Sequence, residues 1–152
     1  MSHSDMSFHA TDLQSMPGHG IRRLQQIAVA LFTREMGEFG VTPVQFAVLQ
    51  ALQAQPGIDQ KTLADTVSFD TSTIGAVIDR LEAKALLTRS LSPEDRRVRL
   101  LNLTPAGSAL LAQALPAVQR TQARILAPLD AQEQQHFCAL LSKLCNGLRV
   151  DG

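Results

Sequence analysis

Two short helical segments separated by a tight turn are the feature that most constrains this chain. Residues 58–67 predict a short helix with Asp59 as its N-cap, because a carboxylate there accepts unpaired backbone N–H groups and complements the helix dipole. Asp70 is predicted to cap a longer helix, from Thr71 to about Lys84, that has one apolar face and a small polar start. Such a pair of helices predicts a helix-turn-helix.

The segment after this pair changes from helical to extended periodicity. Residues 87–91 and 98–103 alternate between apolar and polar side chains, and the turn-rich residues 92–97 lie between them. Although the formal net charge is zero, six of the 14 Lys and Arg residues lie between Arg80 and Arg99. The sequence therefore predicts a β-hairpin, or wing, with a basic tip.

Helices are also predicted on both sides of this unit. Residues 19–39 carry a broad apolar face, and residues 105–149 contain two helices, the first kinked by Pro116 and the second opened by a capping box from Asp130 to Glu133. Thr42-Pro43 and Thr104-Pro105 give the N-cap and first-turn proline that begin a helix. The fold class is thus predicted to be mainly α with a small β-hairpin wing.

The predicted organisation is a flexible N-terminal arm at residues 1–17 followed by a single domain at residues 18–152. Within that domain, residues 42–104 form the winged helix-turn-helix, and the helices at 19–39 and 105–149 form a dimerisation lobe. The apolar faces of those flanking helices need a cover, and a second copy of the chain is the simplest one. We therefore expect a homodimer.

Several classes of protein are disfavoured by the sequence. Two cysteines are too few for a disulfide framework, and no apolar run is long enough for a signal peptide or a membrane span, so we expect a soluble, cytoplasmic protein without a membrane partner. No phosphate-binding loop or catalytic grouping is present, which predicts that the chain is not an enzyme and uses no cofactor. The four histidines show no metal-ligand spacing, so no metal site is expected.

The chain resembles the MarR family of winged-helix transcriptional regulators over roughly residues 17–148. Asp95-Arg96-Arg97, followed by residues 103–107 (Leu-Thr-Pro-Ala-Gly), is similar to the wing signature of that family. Residues 41–46 are similar to the opening of its second helix, and residues 60–64 and 70–84 to its paired DNA-binding helices.

This resemblance implies a homodimer that places its recognition helices in successive major grooves of a pseudo-palindromic, double-stranded operator and its wings in the minor grooves. The start of the recognition helix, at Thr71, Ser72 and Thr73, suits contacts to phosphates or base edges. Arg97 suits the minor groove, and Asp95 is expected to hold the wing by pairing with an arginine. The expected phosphate contacts are Arg80, Arg89, Arg96 and Arg99.

A narrower resemblance concerns the effector. Residues 17–26 are similar to a stretch in members that regulate aromatic-acid catabolism, which implies a repressor that a benzoate-like or nicotinate-like acid releases from DNA. Arg22 is the candidate for holding the effector carboxylate, because a guanidinium can bind it in a bidentate manner, and His19 is a lesser candidate. Ordinary surface salt bridges would equally explain Arg22 and its neighbour Arg23.

Two alternatives remain open at the level of sequence. Cys138 and Cys145 lie seven positions apart on one face of the last helix, where cysteines usually act as buried small hydrophobes, but the same fold can serve a cysteine-based redox-sensing regulator. The charged hairpin could also be a solvated surface of a helical dimerisation or adaptor module that does not bind DNA.

Overall fold

The computed structural model of the protein describes residues 12–67 and 71–148, apart from the side chains of Thr71 and Ser72. These residues form six α-helices, three β-strands and two 3-10 turns. The helices are α1 (Pro17–Met36), α2 (Pro43–Ala54), α3 (Gln60–Thr66), α4 (Thr71–Ala83), α5 (Pro105–Leu126) and α6 (Ala131–Gly147). The strands are β1 (Ile58–Asp59), β2 (Leu87–Leu91) and β3 (Arg99–Leu103), and the 3-10 turns are Leu13–Ser15 and Gly37–Phe39.

Four of the helices begin where the sequence predicts a capping residue. Each capping oxygen accepts a hydrogen bond from the backbone N–H three residues later, which satisfies a donor that has no acceptor within the helix. The distances are 3.2 Å at Thr42, 2.8 Å at Asp59, 3.0 Å at Thr104 and 2.9 Å at Asp130. These predictions are confirmed, whereas the predicted cap at Asp70 and most of the predicted N-terminal arm, residues 1–11, lie outside the described residues.

The sheet contains one strand more than the predicted hairpin. β3 lies in the centre and pairs antiparallel with β2, in a register that places Arg89 opposite Leu101. On its other side β3 pairs with the two-residue strand β1, where Ile58 is opposite Leu101. The extra strand fastens the start of α3 to the base of the wing.

The core lies between the helix-turn-helix, the sheet and the helices α1, α2 and α5. Side chains that are shielded almost completely from solvent come from every one of these parts, with Thr121 as the contribution of α5. They are Met36, Val48, Leu49, Leu52, Leu63, Ile74, Ile78, Leu81, Leu87, Leu101 and Thr121. Helix α5 is continuous through Pro116. The mainly α fold with a small β wing is therefore confirmed.

Helix α6 packs differently from the other helices because it contributes no buried residue. Its apolar side chains, together with apolar side chains of α1 and of the end of α5, line an open groove of about 770 Å³. Ile21 on α1 is 62% exposed and Leu144 on α6 is 54% exposed. The expectation that Cys138 and Cys145 are buried is wrong for the single chain, since both line this groove and are exposed.

Candidate nucleic-acid interface and effector cavity

Helix α4 has one buried face and one exposed face. Ile74, Ile78 and Leu81 are completely shielded from solvent and anchor the helix on the core. Thr73 and Arg80 are exposed, and because they are seven residues apart they lie on the same side of the helix. The backbone of Thr71 and Ser72 forms the first turn of α4, whereas their side chains lie outside the described part of the structure. The outward face of α4 is therefore polar at its start and basic near its end.

The wing tip between β2 and β3 is held by local hydrogen bonds. The backbone N–H of Ser92 donates to the carbonyl of Val98 at 2.9 Å. Asp95 accepts from the backbone N–H of Arg97 at 3.0 Å and forms an ion pair with the Arg97 guanidinium at 3.2 Å. These bonds hold the pKa of the Asp95 carboxyl below its usual value. The predicted pairing of Asp95 with an arginine is confirmed.

The predicted arginine contacts fall into two groups. The side chain of Arg97 is 91% exposed, and Arg96 and Arg99 are exposed as well. Arg89 is only 21% exposed and forms ion pairs with Asp79 at 2.7 Å and Glu82 at 3.0 Å, both on α4. The structure therefore favours an internal role for Arg89 over the predicted phosphate contact, because two carboxylates already occupy its guanidinium.

The wing lies next to α3 across an open groove of about 640 Å³. Arg97 and Arg99 line it from the wing, while Lys61 and Thr62 line it from the helix together with the acidic residues Asp59 and Asp65. Lys61 was not predicted from the sequence, although it is a basic residue in the first turn of the helix that precedes α4.

The two predicted effector residues lie together on the exposed surface of α1. The Nη2 atom of Arg22 is 3.3 Å from Nδ1 of His19, one helical turn before it. Neither side chain is among the described residues that line the two cavities bordered by α1. The residue that does so is Gln25, one turn after Arg22, which the sequence analysis missed.

A smaller cavity of about 280 Å³ lies between α1, α2 and α5. It has aromatic and polar walls, with the rings of Phe32 and Phe46 5.9 Å apart and tilted by 60°. The lining residues are Gln25, Ala28, Val29, Phe32, Pro43, Phe46, Thr121, Gln122 and Ile125. An aromatic pair facing amide groups can accommodate a planar ring that carries polar substituents.

One end of this cavity is tied by ion pairs between α1 and α5. Glu35 accepts from Arg120 at 3.1 Å and from Arg124 at 2.8 Å, on either side of the cavity-lining residue Thr121. Hydrogen bonds from Arg120 and Arg124 lower the pKa of the Glu35 carboxyl, so it is charged at neutral pH. The clamp keeps the last turn of α1 close to α5.

Neither a metal-binding cluster nor a membrane-spanning helix occurs among the described residues. They contain no group of three or more His, Cys, Asp or Glu side chains that could hold a metal ion. Among these residues, no helix has both the length and the apolar character needed to cross a bilayer.

The chain is similar in sequence to known transcriptional regulators. The model of the MarR family matches residues 41–98, which include α2, α3, α4 and β2. The chain is 31% identical to the transcriptional regulator HosA of Escherichia coli over 88% of this chain and 98% of HosA. HosA and the solved relatives described next are transcriptional regulators, which supports a role other than catalysis at the level of the family.

Two solved structures are similar over nearly their full length. The PcaV transcriptional regulator of Streptomyces coelicolor, in complex with its natural ligand, is 39% identical with a TM-score of 0.85 over 91% of this chain and 98% of that one. BpsR of Bordetella bronchiseptica, whose DNA binding is regulated by 6-hydroxynicotinic acid, is 32% identical with a TM-score of 0.84 over 91% and 97%.

Proposed function

Because the chain belongs to the MarR family of transcriptional regulators, we propose that it represses an aromatic-acid catabolic operon and leaves its operator when a small aromatic carboxylate binds. The proposal that the chain binds DNA rests on the two faces of α4. The apolar face is buried in the core, whereas Thr73 and Arg80 on the other face are exposed. A helix mounted in this way can enter a major groove without exposing core residues.

The proposed DNA contacts follow from exposure and charge. Thr71, Ser72 and Thr73 at the start of α4 contact base edges or phosphates, and Arg97 enters the minor groove from the wing. The exposed residues Arg80, Arg96 and Arg99 contact phosphates, which gives affinity that falls steeply with salt. Arg89 is left out of this set because of its ion pairs with Asp79 and Glu82.

The proposed homodimer uses the apolar groove formed by α1, α5 and α6. A patch of exposed leucines of this extent is unfavourable in water, and a second copy that brings the same patch would cover it by two-fold symmetry. The two winged helix-turn-helix units of the dimer (residues 42–104 of each copy), called the reading heads below, would then lie about one turn of DNA apart. This spacing matches a pseudo-palindromic operator.

The proposed effector is a single-ring acid in the 280 Å³ cavity. The volume lies near the lower end of the range for ligand pockets, which suits a benzoate-like or nicotinate-like molecule. In this arrangement Phe32 and Phe46 contact the ring, and Arg22, assisted by His19, reaches the carboxylate from the end nearest Gln25. PcaV, which was solved in complex with its natural ligand, and BpsR, whose DNA binding is regulated by 6-hydroxynicotinic acid, support this proposal.

The effector acts by favouring one state of the dimer. It must bind more tightly to a dimer whose heads are wrongly spaced for DNA than to the DNA-competent dimer, and this difference in affinity limits how far it can shift the equilibrium. The cavity lies between α1 and α5, which also line the dimer groove, and α2, which belongs to the reading head. A ligand there contacts both parts.

A gel-shift assay on genomic fragments with rising salt tests DNA binding. The proposal requires a sequence-selective complex that weakens steeply with salt. An adaptor module that does not bind DNA would give no selective complex.

Replacement of Arg22 tests the effector site. The Arg22→Ala dimer should bind the selected fragment normally but need about tenfold more of a benzoate-like or nicotinate-like acid for release, because one charge-assisted contact with the effector is lost. Thermal-shift measurements with the same acids report this loss, since a ligand that binds only the folded dimer raises its melting temperature. Arg23→Ala, which removes a neighbouring exposed arginine, is the matched control. Normal release by Arg22→Ala contradicts the assignment.

A further inference from the structure

We propose that Arg89 is a positioning residue, a brace that fixes the angle between the recognition helix α4 and the wing and thereby sets how both reach the DNA together. This inference rests on the proposed roles of α4 and the wing as the two DNA-contacting elements. It concerns a side chain that does not itself touch the DNA.

The pleat of β2 directs Arg89 towards the helices. Leu87, two residues before it, is buried, whereas the intervening Thr88 and the following Ser90 are exposed. Its cross-strand neighbour Leu101 is completely shielded from solvent. Since side chains alternate along a strand, the aliphatic part of Arg89 lies on the inner side of the sheet.

Two carboxylates on α4 receive the guanidinium. Glu82 accepts from Nε of Arg89 at 3.2 Å and from Nη2 at 3.0 Å, which is the bidentate arrangement, and Asp79 accepts from Nη2 at 2.7 Å. Asp79 and Glu82 are three residues apart, so they lie on one side of the helix. A planar guanidinium can bridge both carboxylates, whereas an ammonium group presents a single point charge.

The occupied guanidinium argues against a phosphate at this position. The hydrogen bond from Arg89 lowers the pKa of Glu82, so that carboxyl is ionised at neutral pH. Both Glu82 and Asp79 accept from the Arg89 guanidinium, so an approaching phosphate would have to displace a carboxylate that already binds it. Arg97, by contrast, is paired with Asp95 and is almost fully exposed.

The brace has a mechanical consequence. Helix α4 and β2 are joined by residues 84–86, and both elements bury apolar side chains in the same core. The contacts of Arg89 with Asp79 add a polar attachment at the outer edge of this packing, one turn before the contact with Glu82. Without that attachment, α4 and the wing could still each contact DNA, but their relative geometry would have to be ordered at binding, which weakens affinity.

Replacing Asp79 and Glu82 provides the decisive test, because the two possible roles of Arg89 predict opposite changes in the affinity for DNA. The probe is a duplex that the wild-type protein selects from a random-sequence library. If Arg89 is a brace, the Asp79→Asn/Glu82→Gln variant binds this duplex about three- to tenfold more weakly, from the loss of two ion pairs. If Arg89 is a phosphate contact, the same variant binds more tightly. Glu94→Gln, which removes an exposed carboxylate at the wing tip, is the matched control for charge alone and should bind no more weakly than wild type.

The salt dependence of binding gives a second readout. Arg89→Ala should lose affinity while the slope of log affinity against log salt stays unchanged, whereas Arg97→Ala should reduce that slope by about one. Arg89→Lys should recover only part of the affinity. Equal or tighter binding by the double carboxylate variant, or a reduced slope in Arg89→Ala, overturns the inference. A wild-type protein that selects no duplex instead contradicts the proposed function, and unaltered circular dichroism establishes that each variant is folded.

Discussion

Ala85 has an unusual backbone conformation at the turn between α4 and β2. Its φ of 59° lies in the left-handed region, which a Cβ makes unfavourable by roughly 1–2 kcal/mol. The turn is nevertheless fixed from outside, because the carbonyl of Ala85 accepts a hydrogen bond of 2.6 Å from the hydroxyl of Thr104. Gly107 lets α5 pack directly against this turn, since a Cβ there would collide with the carbonyl oxygen of Leu86.

Ala85→Gly should therefore stabilise the protein. Glycine removes the steric cost of the left-handed conformation but increases the entropy of the unfolded chain, so the net gain in the free energy of unfolding is about 0.5–1 kcal/mol. Thermal denaturation measures the gain. Ala83→Gly, which places the same substitution in the last turn of α4, should instead destabilise by a similar amount. A lower melting temperature for Ala85→Gly would show that the turn gains nothing from relief of φ strain.

At the scale of elements, the start of α3 depends on one carboxylate. Asp59 accepts from the backbone N–H of Thr62 at 2.8 Å and from its hydroxyl at 2.7 Å, and these two hydrogen bonds lower the pKa of the Asp59 carboxyl in the folded state. A group with a lowered folded-state pKa contributes stability above its unfolded pKa and loses that contribution as pH falls through the folded value. The cap of α3 should therefore weaken in acid.

Asp59→Ala should lower the free energy of unfolding at neutral pH by about 1 kcal/mol. The difference from wild type should shrink as the pH falls from the ordinary aspartate pKa of 3.8 through the lowered pKa of the folded state. Urea denaturation across this pH range checks both statements. Asp59→Asn retains a capping oxygen without a titratable group, so its difference from wild type near neutral pH should be small. A constant penalty for Asp59→Ala at every pH would contradict the assigned role of the carboxylate.

The elements also show how far the sequence could predict this fold. Caps such as Thr42 and Asp130 were predictable because the donor lies only three residues away, and the alternation in β2 and β3 revealed the wing. Strand β1 was not predictable, since two residues carry no periodicity and its pairing with β3 spans about 40 residues of sequence. The contacts of Glu35 with Arg120 and Arg124 were concealed in the same way, because they span 85 and 89 residues of sequence.

The candidate site was predictable to a similar extent. Composition and spacing marked the basic wing, and the pairing of Asp95 with Arg97 is local. The role of Arg89 depends on carboxylates of another element, although its position two residues after the buried Leu87 was a signal that it faces inwards. The effector cavity collects residues from three helices, so the sequence indicated Arg22 on α1 but not the cavity wall at Gln25.

At the scale of the whole molecule, the proposed dimer interface is the apolar groove of α1, α5 and α6, which would join two DNA-binding units into one. Leu144→Glu places a charge in this groove and should convert the dimer to a monomer, because a buried unpaired carboxylate opposes association. Loss of the paired heads should weaken operator binding by about a hundredfold. Sedimentation and the gel shift measure the two effects. Because α6 contributes no buried residue, the monomer should keep the winged helix-turn-helix folded.

Leu115→Glu provides the matched control for this change, since Leu115 is an exposed leucine of α5 that does not line the groove. The thiols of Cys138 and Cys145 give an independent report, because both line the groove and should react slowly with a chromogenic disulfide reagent in the dimer. Their reaction should become fast in Leu144→Glu and remain slow in Leu115→Glu. A Leu144→Glu protein that stays dimeric with slowly reacting thiols would assign the interface to a different surface, and the spacing of the two heads would then have to arise from that surface.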